Sequence, residues 1–486
     1  MTSDACTAAT PAFPSPAGTA APPWRGLAIL LLGGFVTIFD LFVVNVAIPS
    51  LKREFGASLA DIGFIVAGYE LAFGVLLVTG GRLGDRHGRR RLFMAGMAGF
   101  TVASALCGLA PDMAVLIAAR VLQGLAAALL FPQVYASIRV NFSGADGRRA
   151  FGFLGMTLGL AAIAGQILGG LMVEANLFGL GWRLIFLVNV PVGLMALIAA
   201  RSIPESRAPE RPMLDWQGVG LASLGLTLLL VPLIEASSRG WPPASFASLA
   251  AAVLVLAGFC RHQDLRRRAG REPLVDMALL REPAFARGGL LVLLIYSTAS
   301  SFFLCFALMV QTGFGFGPLA AGGVFVPCSV GFVAASLAAP GLVARFGPRA
   351  ISAGAMLYAV SLGILIGQVW LAGATLVVGH LIPALVMVGA AQGLIMTPLL
   401  NLVLGFVAER QAGMAAGVIS TLQQVGAAFG VAVVGLIFAA CLDRPPGAGG
   451  AAGLHAEAFV GGMLYNLAAA VLAGLLLVGM GRRPQV

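Results

Sequence analysis

GRLGDRHGRR, residues 81–90, crowds Arg82, Asp85, Arg86, Arg89 and Arg90 into ten positions between two long apolar runs, at about 59–80 and 92–110. Each run has about the 20 residues a helix needs to cross a hydrocarbon layer roughly 30 Å thick. The basic stretch is therefore the connection between two membrane spans. The same pattern, apolar run and short basic gap, continues in both directions. Spans are expected at about 26–48, 59–80, 92–110, 113–138, 150–173, 182–200, 216–235, 245–260, 287–311, 318–343, 350–370, 374–398, 413–440 and 459–480, fourteen in all. The chain reads as an all-α polytopic membrane protein.

Composition agrees. Of 486 residues, 59% are apolar and 10% charged, against about 45–50% and about 25% in soluble domains. A soluble globular enzyme is excluded. The net charge of +10 comes from Arg in the short gaps, where it orients the chain in the membrane, and no nucleic-acid partner is needed to explain it. Lys52 is the sole lysine, so no phosphate-binding GxxxxGK[ST] loop exists and no ATPase is built in. The longest polar gap, after about Cys260, is too short for a soluble domain of the ~50 residues such a fold requires. Energy must come from an ion gradient or a partner. Six scattered cysteines (Cys6, Cys107, Cys260, Cys305, Cys328, Cys441) form no CxxC pair and have no histidine at metal spacing, so no metal and no cofactor is expected.

Counted by alternating side, 24 Lys and Arg fall on the side of the N-terminus and five (Lys52, Arg53, Arg183, Arg239, Arg444) on the other, with Arg120 inside a span. The positive-inside rule then puts both termini in the cytoplasm. The expected organisation is a disordered cytoplasmic tail at 1–25, rich in Ala, Pro, Ser and Thr and unlike a cleaved signal peptide. A six-helix bundle follows at 26–200, then a linker with two further spans at 201–286, a second six-helix bundle at 287–480 and a short cytoplasmic tail at 481–486. An internal repeat supports two halves. GRLGDRHGRR is echoed by GLVARFGPR (341–349), and LQGLAAALLFP (122–132) by AQGLIMTP (391–398). Repeats of this kind build transporters that rock about a midplane site.

Ionised side chains deep in a span cost about 2.5–3.5 kcal/mol each, so they mark a polar interior. Three stand out: Asp40, Glu70 and Arg120. Asp40 and Arg120 both lie about 11 Å from the outer ends of their helices at ~1.5 Å per residue, a common depth that permits an ion pair. Glu70 falls near the membrane centre, where a carboxyl without a cation is better neutral than ionised, as a proton carrier requires. A static architectural pair is the competing reading. Asn45, Gln123, Gln392, Gln423 and Gln424 add uncharged polar groups inside apolar runs, suited to a substrate cavity or to interhelical bonds. Gly165, Gln166, Gly169 and Gly170 put two glycines four apart on one face, as close packing or as a gate.

The motif GRLGDRHGRR resembles the signature of the major facilitator superfamily, with Gly81, Leu83, Asp85, Arg86, Gly88, Arg89 and Arg90 matching position by position. RVLQG (120–124) is similar to the family's fourth-helix motif, whose Arg, here Arg120, the resemblance implicates in proton coupling. FDLFVVNVAIP (39–49) and WRLIFLVNVPVG (182–193) are similar to helices one and six of its fourteen-helix drug:proton antiporters, with Asp40, Asn45 and Pro49 in matching places. The resemblance covers the first six helices closely and the later ones by layout. Two departures bear on mechanism: Gln166 stands where the branch's fifth helix carries Pro, and Gln423 where its thirteenth carries Arg.

The resemblance implies two six-helix halves with a central extra helix pair, and a proton-coupled antiporter exporting amphipathic drug-like or antibiotic molecules across the bacterial cytoplasmic membrane. In that reading Asp40 and Glu70 carry protons, Arg120 holds the counter-charge, and the 81–91 connection latches the outward-closed state. The partners are a small-molecule substrate, protons and the bilayer, and the working unit is a monomer. A proton-coupled importer on the same fold is the alternative. A membrane-embedded enzyme would need a cluster of reactive groups at one interface, and none is present; a receptor on a transporter fold also stays open.

Overall fold

The computed structural model describes residues 24–208, 213–405, 407, 412–445 and 449–481. The expected tails at 1–25 and 481–486 lie almost wholly outside them. Among the described residues fourteen helices are long and apolar enough to span a membrane. They are α1 (Trp24–Phe55), α2 (Leu59–His87), α3 (Arg89–Gly108), α4 (Met113–Asn141), α5 (Gly144–Ala175), α6 (Gly181–Ser202), α7 (Trp216–Ala236), α8 (Pro243–Arg268), α9 (Pro283–Gly313), α10 (Pro318–Phe346), α11 (Arg349–Thr375), α12 (Val378–Leu404), α13 (Ala415–Leu442) and α14 (Gly450–Leu477). With fourteen such helices among the described residues, Trp24 and Gly481 lie on one face, the terminal face.

Several elements run further than their apolar runs predict, α8 to Arg268 and α14 from Gly450 among them, and two of these overruns bear on the site. α1 continues to Phe55 but passes through a 3-10 turn at Val44–Ala47. Pro49 explains it, because a proline has no N–H to give the carbonyl four residues back and its ring crowds that carbonyl. α2 does not end near residue 80; it carries the basic motif as helix up to His87 and breaks only at Gly88, whose φ is 111°. Arg side chains favour helix, and the Arg89 guanidinium bonds the Asp85 carboxylate one turn back at 2.7 Å. The motif is thus a helix end with a one-residue corner.

The two halves repeat one packing scheme. α2 packs on α4, α3 on α4 and α1 on α5; eight helices later α10 packs on α12, α11 on α12 and α9 on α13. Small residues allow the closest of these approaches. A Cβ at Gly80 or Gly124 would strike backbone across the α2–α4 seam, and one at Gly331 or Gly389 would do so across α10–α12. The halves meet along two seams, α2 with α13 and α5 with α10. α7 and α8 pair with each other, and α7 lies against both α2 and α13.

The seams are not equally tight along their length. On the face opposite the termini, Gly170 of α5 abuts the Pro318 backbone of α10, and the Glu174 carboxylate accepts the Leu319 N–H at 3.2 Å. Toward the terminal face α5 stands clear, with nothing within 4 Å of a Cβ at Gly152 or Gly155. Tyr135, on the flank of α4 away from Leu122 and Val140, is 38% exposed.

Candidate functional site

The interior of the first half holds one charged network. Asp40 on α1 forms an ion pair with Arg120 on α4, and both are fully buried. The carboxylate also accepts Gln123 Nε2 at 2.9 Å and Asn189 Nδ2 at 3.0 Å. Ser104 Oγ, on α3, accepts Gln123 Nε2 at 2.8 Å. Arg120 donates to Gln123 Oε1 at 2.7 Å and to the Ile65 carbonyl at 3.1 Å, with its guanidinium carbon 4.3 Å from the Tyr69 ring centroid. Five helices (α1, α2, α3, α4, α6) therefore converge on one ion pair. A buried pair survives only if its remaining lone pairs and protons find partners, and here both Asp40 oxygens and the Arg120 Nε and Nη1 groups have them.

Glu70 stands apart from that pair and reaches the other half. Its Oε1 accepts the Ser300 hydroxyl of α9 at 2.6 Å, while Oε2 is buried with no hydrogen-bond partner. The only carboxyl that bridges α2 to α9 among the described residues is thus half satisfied.

The second half carries a neutral counterpart of the charged network. Gln392 of α12, the repeat equivalent of Gln123, donates to the Tyr358 hydroxyl of α11 at 3.1 Å, and that hydroxyl donates to Thr298 Oγ1 of α9 at 2.9 Å. Asn466 of α14 accepts the Ser301 hydroxyl at 2.7 Å, as Asn189 of α6 serves Asp40 in the first half. Gln392, 3% exposed, is bonded to Tyr358 inside its own half, and Gln123 is consumed by bonds inside its half and offers nothing free to the space between the halves. Gln423 and Gln424 do: both are half-buried and make no hydrogen bond among the described residues, with Gln424 packed on Gly74 of α2.

At the closed face, the residues of the fifth-helix cluster divide their work. Gly165 and Gly169 admit α1, at Phe39, Phe42 and Val43, while Gly170 admits α10. Gln166 Nε2 and Asn45 Nδ2 both donate to the Phe42 carbonyl, at 3.3 and 3.2 Å. Gln311 of α9 donates to the Asn45 carbonyl at 2.9 Å, and Phe42 meets Phe303 edge-on at 4.9 Å between centroids.

At the terminal face the basic motif grips the chain that follows α6. Arg89 N–H bonds the Ser206 carbonyl at 2.9 Å and Ala208 N–H the Asp85 carbonyl at 3.0 Å. Glu205 accepts Arg90 N–H at 3.1 Å and sits where a Cβ at Gly88 would be, so Gly88 is required both for its φ and for that approach. Arg82 donates to the Pro273 carbonyl at 2.7 Å and the Met213 carbonyl at 3.3 Å, tying α2 to both ends of the central pair. That pair is pinned by Asp215, which accepts Gly218 N–H at 3.0 Å, Gln263 Nε2 at 2.8 Å and a His262 ring contact at 3.0 Å, with Arg266 at 3.5 Å. Burial works to raise the Asp215 carboxyl, but these bonds and the Arg266 charge outweigh it and hold it below the usual value.

The structure thus brings Asp40, Arg120 and Gln123 together and places Glu70 at the seam between halves. Ser104, Asn189, Ser300, Gln311, Tyr358 and Asn466 join these sites without having stood out in the sequence. Each is neutral and polar in an otherwise apolar run, with Ser300 further hidden among Ser297, Thr298 and Ser301; for Asn189 and Gln392 the motif and the repeat gave a signal. Among the described residues no group of three His, Cys, Asp or Glu side chains could hold a metal ion.

Residues 30–431 match the family model of the Major Facilitator Superfamily. The chain is 39% identical to a probable actinorhodin transporter of Streptomyces coelicolor, over 87% of this chain and 75% of that protein. It is 35% identical to a puromycin resistance protein of Streptomyces alboniger, over 85% and 81%. A tetracenomycin C resistance and export protein of Streptomyces glaucescens is 33% identical, over 86% and 76%. Among solved structures, a bacterial homologue of the human lysosomal transporter Spinster, inward-facing and unoccupied, has a TM-score of 0.67 at 17% identity, covering 96% of this chain and 98% of that one. The xylose transporter XylE from E. coli, partially occluded and inward-open, has a TM-score of 0.63 at 14% identity over 96% and 100%. Motif, packing scheme and relatives agree, and the chain is a multi-pass membrane transporter of the major facilitator superfamily.

Proposed function

We propose that this transporter is a proton antiporter that exports amphipathic antibiotic-like molecules across the bacterial cytoplasmic membrane, as a monomer with both termini in the cytoplasm. The observation that carries the reading is the buried Asp40–Arg120 pair with its two further donors, Gln123 and Asn189. A proton that binds Asp40 replaces the ion pair, and a proton that leaves restores it. Glu70, bonded across the seam to Ser300, senses the same proton where the halves must separate. Relatives named for transport of or resistance to actinorhodin, puromycin and tetracenomycin C support export of antibiotic-like solutes. A membrane potential supplies about 2.3 kcal/mol per charge per 100 mV, adequate for roughly fifty-fold accumulation.

The test uses acid-loaded inverted vesicles and a pH-sensitive dye, with cationic, neutral and anionic amphipaths added in turn. Loss of the proton gradient on adding solute, absent in Asp40→Asn, is the expected result. Gradient loss of the same size in a folded Asp40→Asn variant defeats the proton assignment.

A further inference from the structure

The turn at Val44–Ala47 leaves backbone groups that an intact helix would have satisfied. The Asn45 carbonyl is the one that Pro49 would serve if it had an N–H. Its partner comes instead from the other half of the molecule, as Gln311 Nε2 at 2.9 Å. Gln311 lies in an unusual segment of its own, because α9 closes in a π-turn at Leu308–Gly313 that shifts the register of its last turn. Two broken helix ends, one in each half, thus meet through a single hydrogen bond at the face opposite the termini. The surroundings are short of donors. Asn45 Oδ1, Gln166 Oε1 and Gln311 Oε1 are all buried without a partner, and their residues are each less than 5% exposed. An unsatisfied buried acceptor is costly, so separating the halves here, which exposes these oxygens to water, recovers part of what the broken bond loses.

We propose that Gln311 is the bolt of the gate on this face. Pro49 creates the receiving carbonyl, Gln311 occupies it when the face is closed, and the acceptor surplus around them keeps the bolt weak enough to be drawn in each transport cycle. The roles are coupled by construction: with an N–H at position 49 the Asn45 carbonyl has a partner in its own helix, and the Gln311 bond becomes a second one on an oxygen already served.

The experiment is a double-mutant cycle read as a distance. Nitroxide labels go on Phe178→Cys and Asp443→Cys, exposed positions at this face on opposite halves, in a chain whose native cysteines are replaced. Pulsed electron resonance on the purified full-length protein gives the ratio of separated to closed populations. Gln311→Leu, and Gln311→Met as a second isostere, should raise that ratio about fivefold to tenfold, the worth of one hydrogen bond. In a Pro49→Ala background the same substitutions should change it less than about twofold. An equal effect in both backgrounds, or none with Pro49 intact, overturns the proposal. The measurement needs neither solute nor proton gradient, so its failure leaves the export reading standing, and the reverse holds.

Discussion

Asn189 and Asn466 occupy repeat-related helices and do similar work on different electrostatics. Asn189 donates to a carboxylate, whereas Asn466 joins only neutral partners, the Ser301 hydroxyl, the Thr298 carbonyl and the Met463 sulfur. Hydrogen bonds to charged groups are worth about 1.5–3 kcal/mol and neutral ones about 0.5–1.5. Asn189→Ala should therefore lower unfolding stability in detergent about twice as much as Asn466→Ala, and should slow transport where Asn466→Ala leaves it near normal. Equal losses in both properties would remove the distinction between the halves. Residues of this kind also mark the limit of what the sequence discloses. Asp40 and Arg120 were legible because an ionised group in an apolar run is expensive and must be answered at the same depth. Ser104 and Ser300 were not, since a neutral polar residue costs little and its partner lies on a distant helix that only packing selects.

The elements show where local rules held and where contacts overrode them. Apolar runs of about 20 residues located every span, because bilayer thickness leaves few alternatives. The end of α2 was misplaced by seven residues, from 80 to His87, because charge marks where a chain leaves lipid and not where its hydrogen bonding stops. The central pair, α7 and α8, is the element whose docking is open to titration. Asp215 is held below the ordinary carboxylate value by His262, Gly218, Gln263 and Arg266, so its contribution is complete above about pH 5 and drains away as pH falls through ~3.9 toward the folded value. Asp215→Asn should lower the melting temperature at pH 7, and its deficit against wild type should narrow by pH 3. A constant deficit across that range would show that the carboxylate's charge is not what docks the pair.

For the whole molecule, the 24-to-5 distribution of basic residues makes a direct claim about the membrane. Cysteine introduced at Arg271, exposed on the terminal face, should react with an impermeant maleimide only in inside-out vesicles, and cysteine at Phe178 only in right-side-out ones; the opposite pattern inverts the proposed topology. The halves themselves were readable from the echo of residues 81–90 in 341–349, but their relative tilt was not, since it depends on which glycines find backbone across the seams. One feature of the assembly changes how solutes reach the interior. A cleft between two bundles has two lateral flanks, here the α2–α13 and α5–α10 seams. α7 lies over the first, with Ile234 set among Ile62, Leu304 and Val431 and the Ser238 hydroxyl on the Ala60 N–H at 3.2 Å. No comparable helix lies over the α5–α10 seam among the described residues. Nothing lies within 4 Å of a Cβ at Gly152 or Gly155 of α5, so a solute that partitions into the bilayer is expected to enter between α5 and α10 rather than past α7.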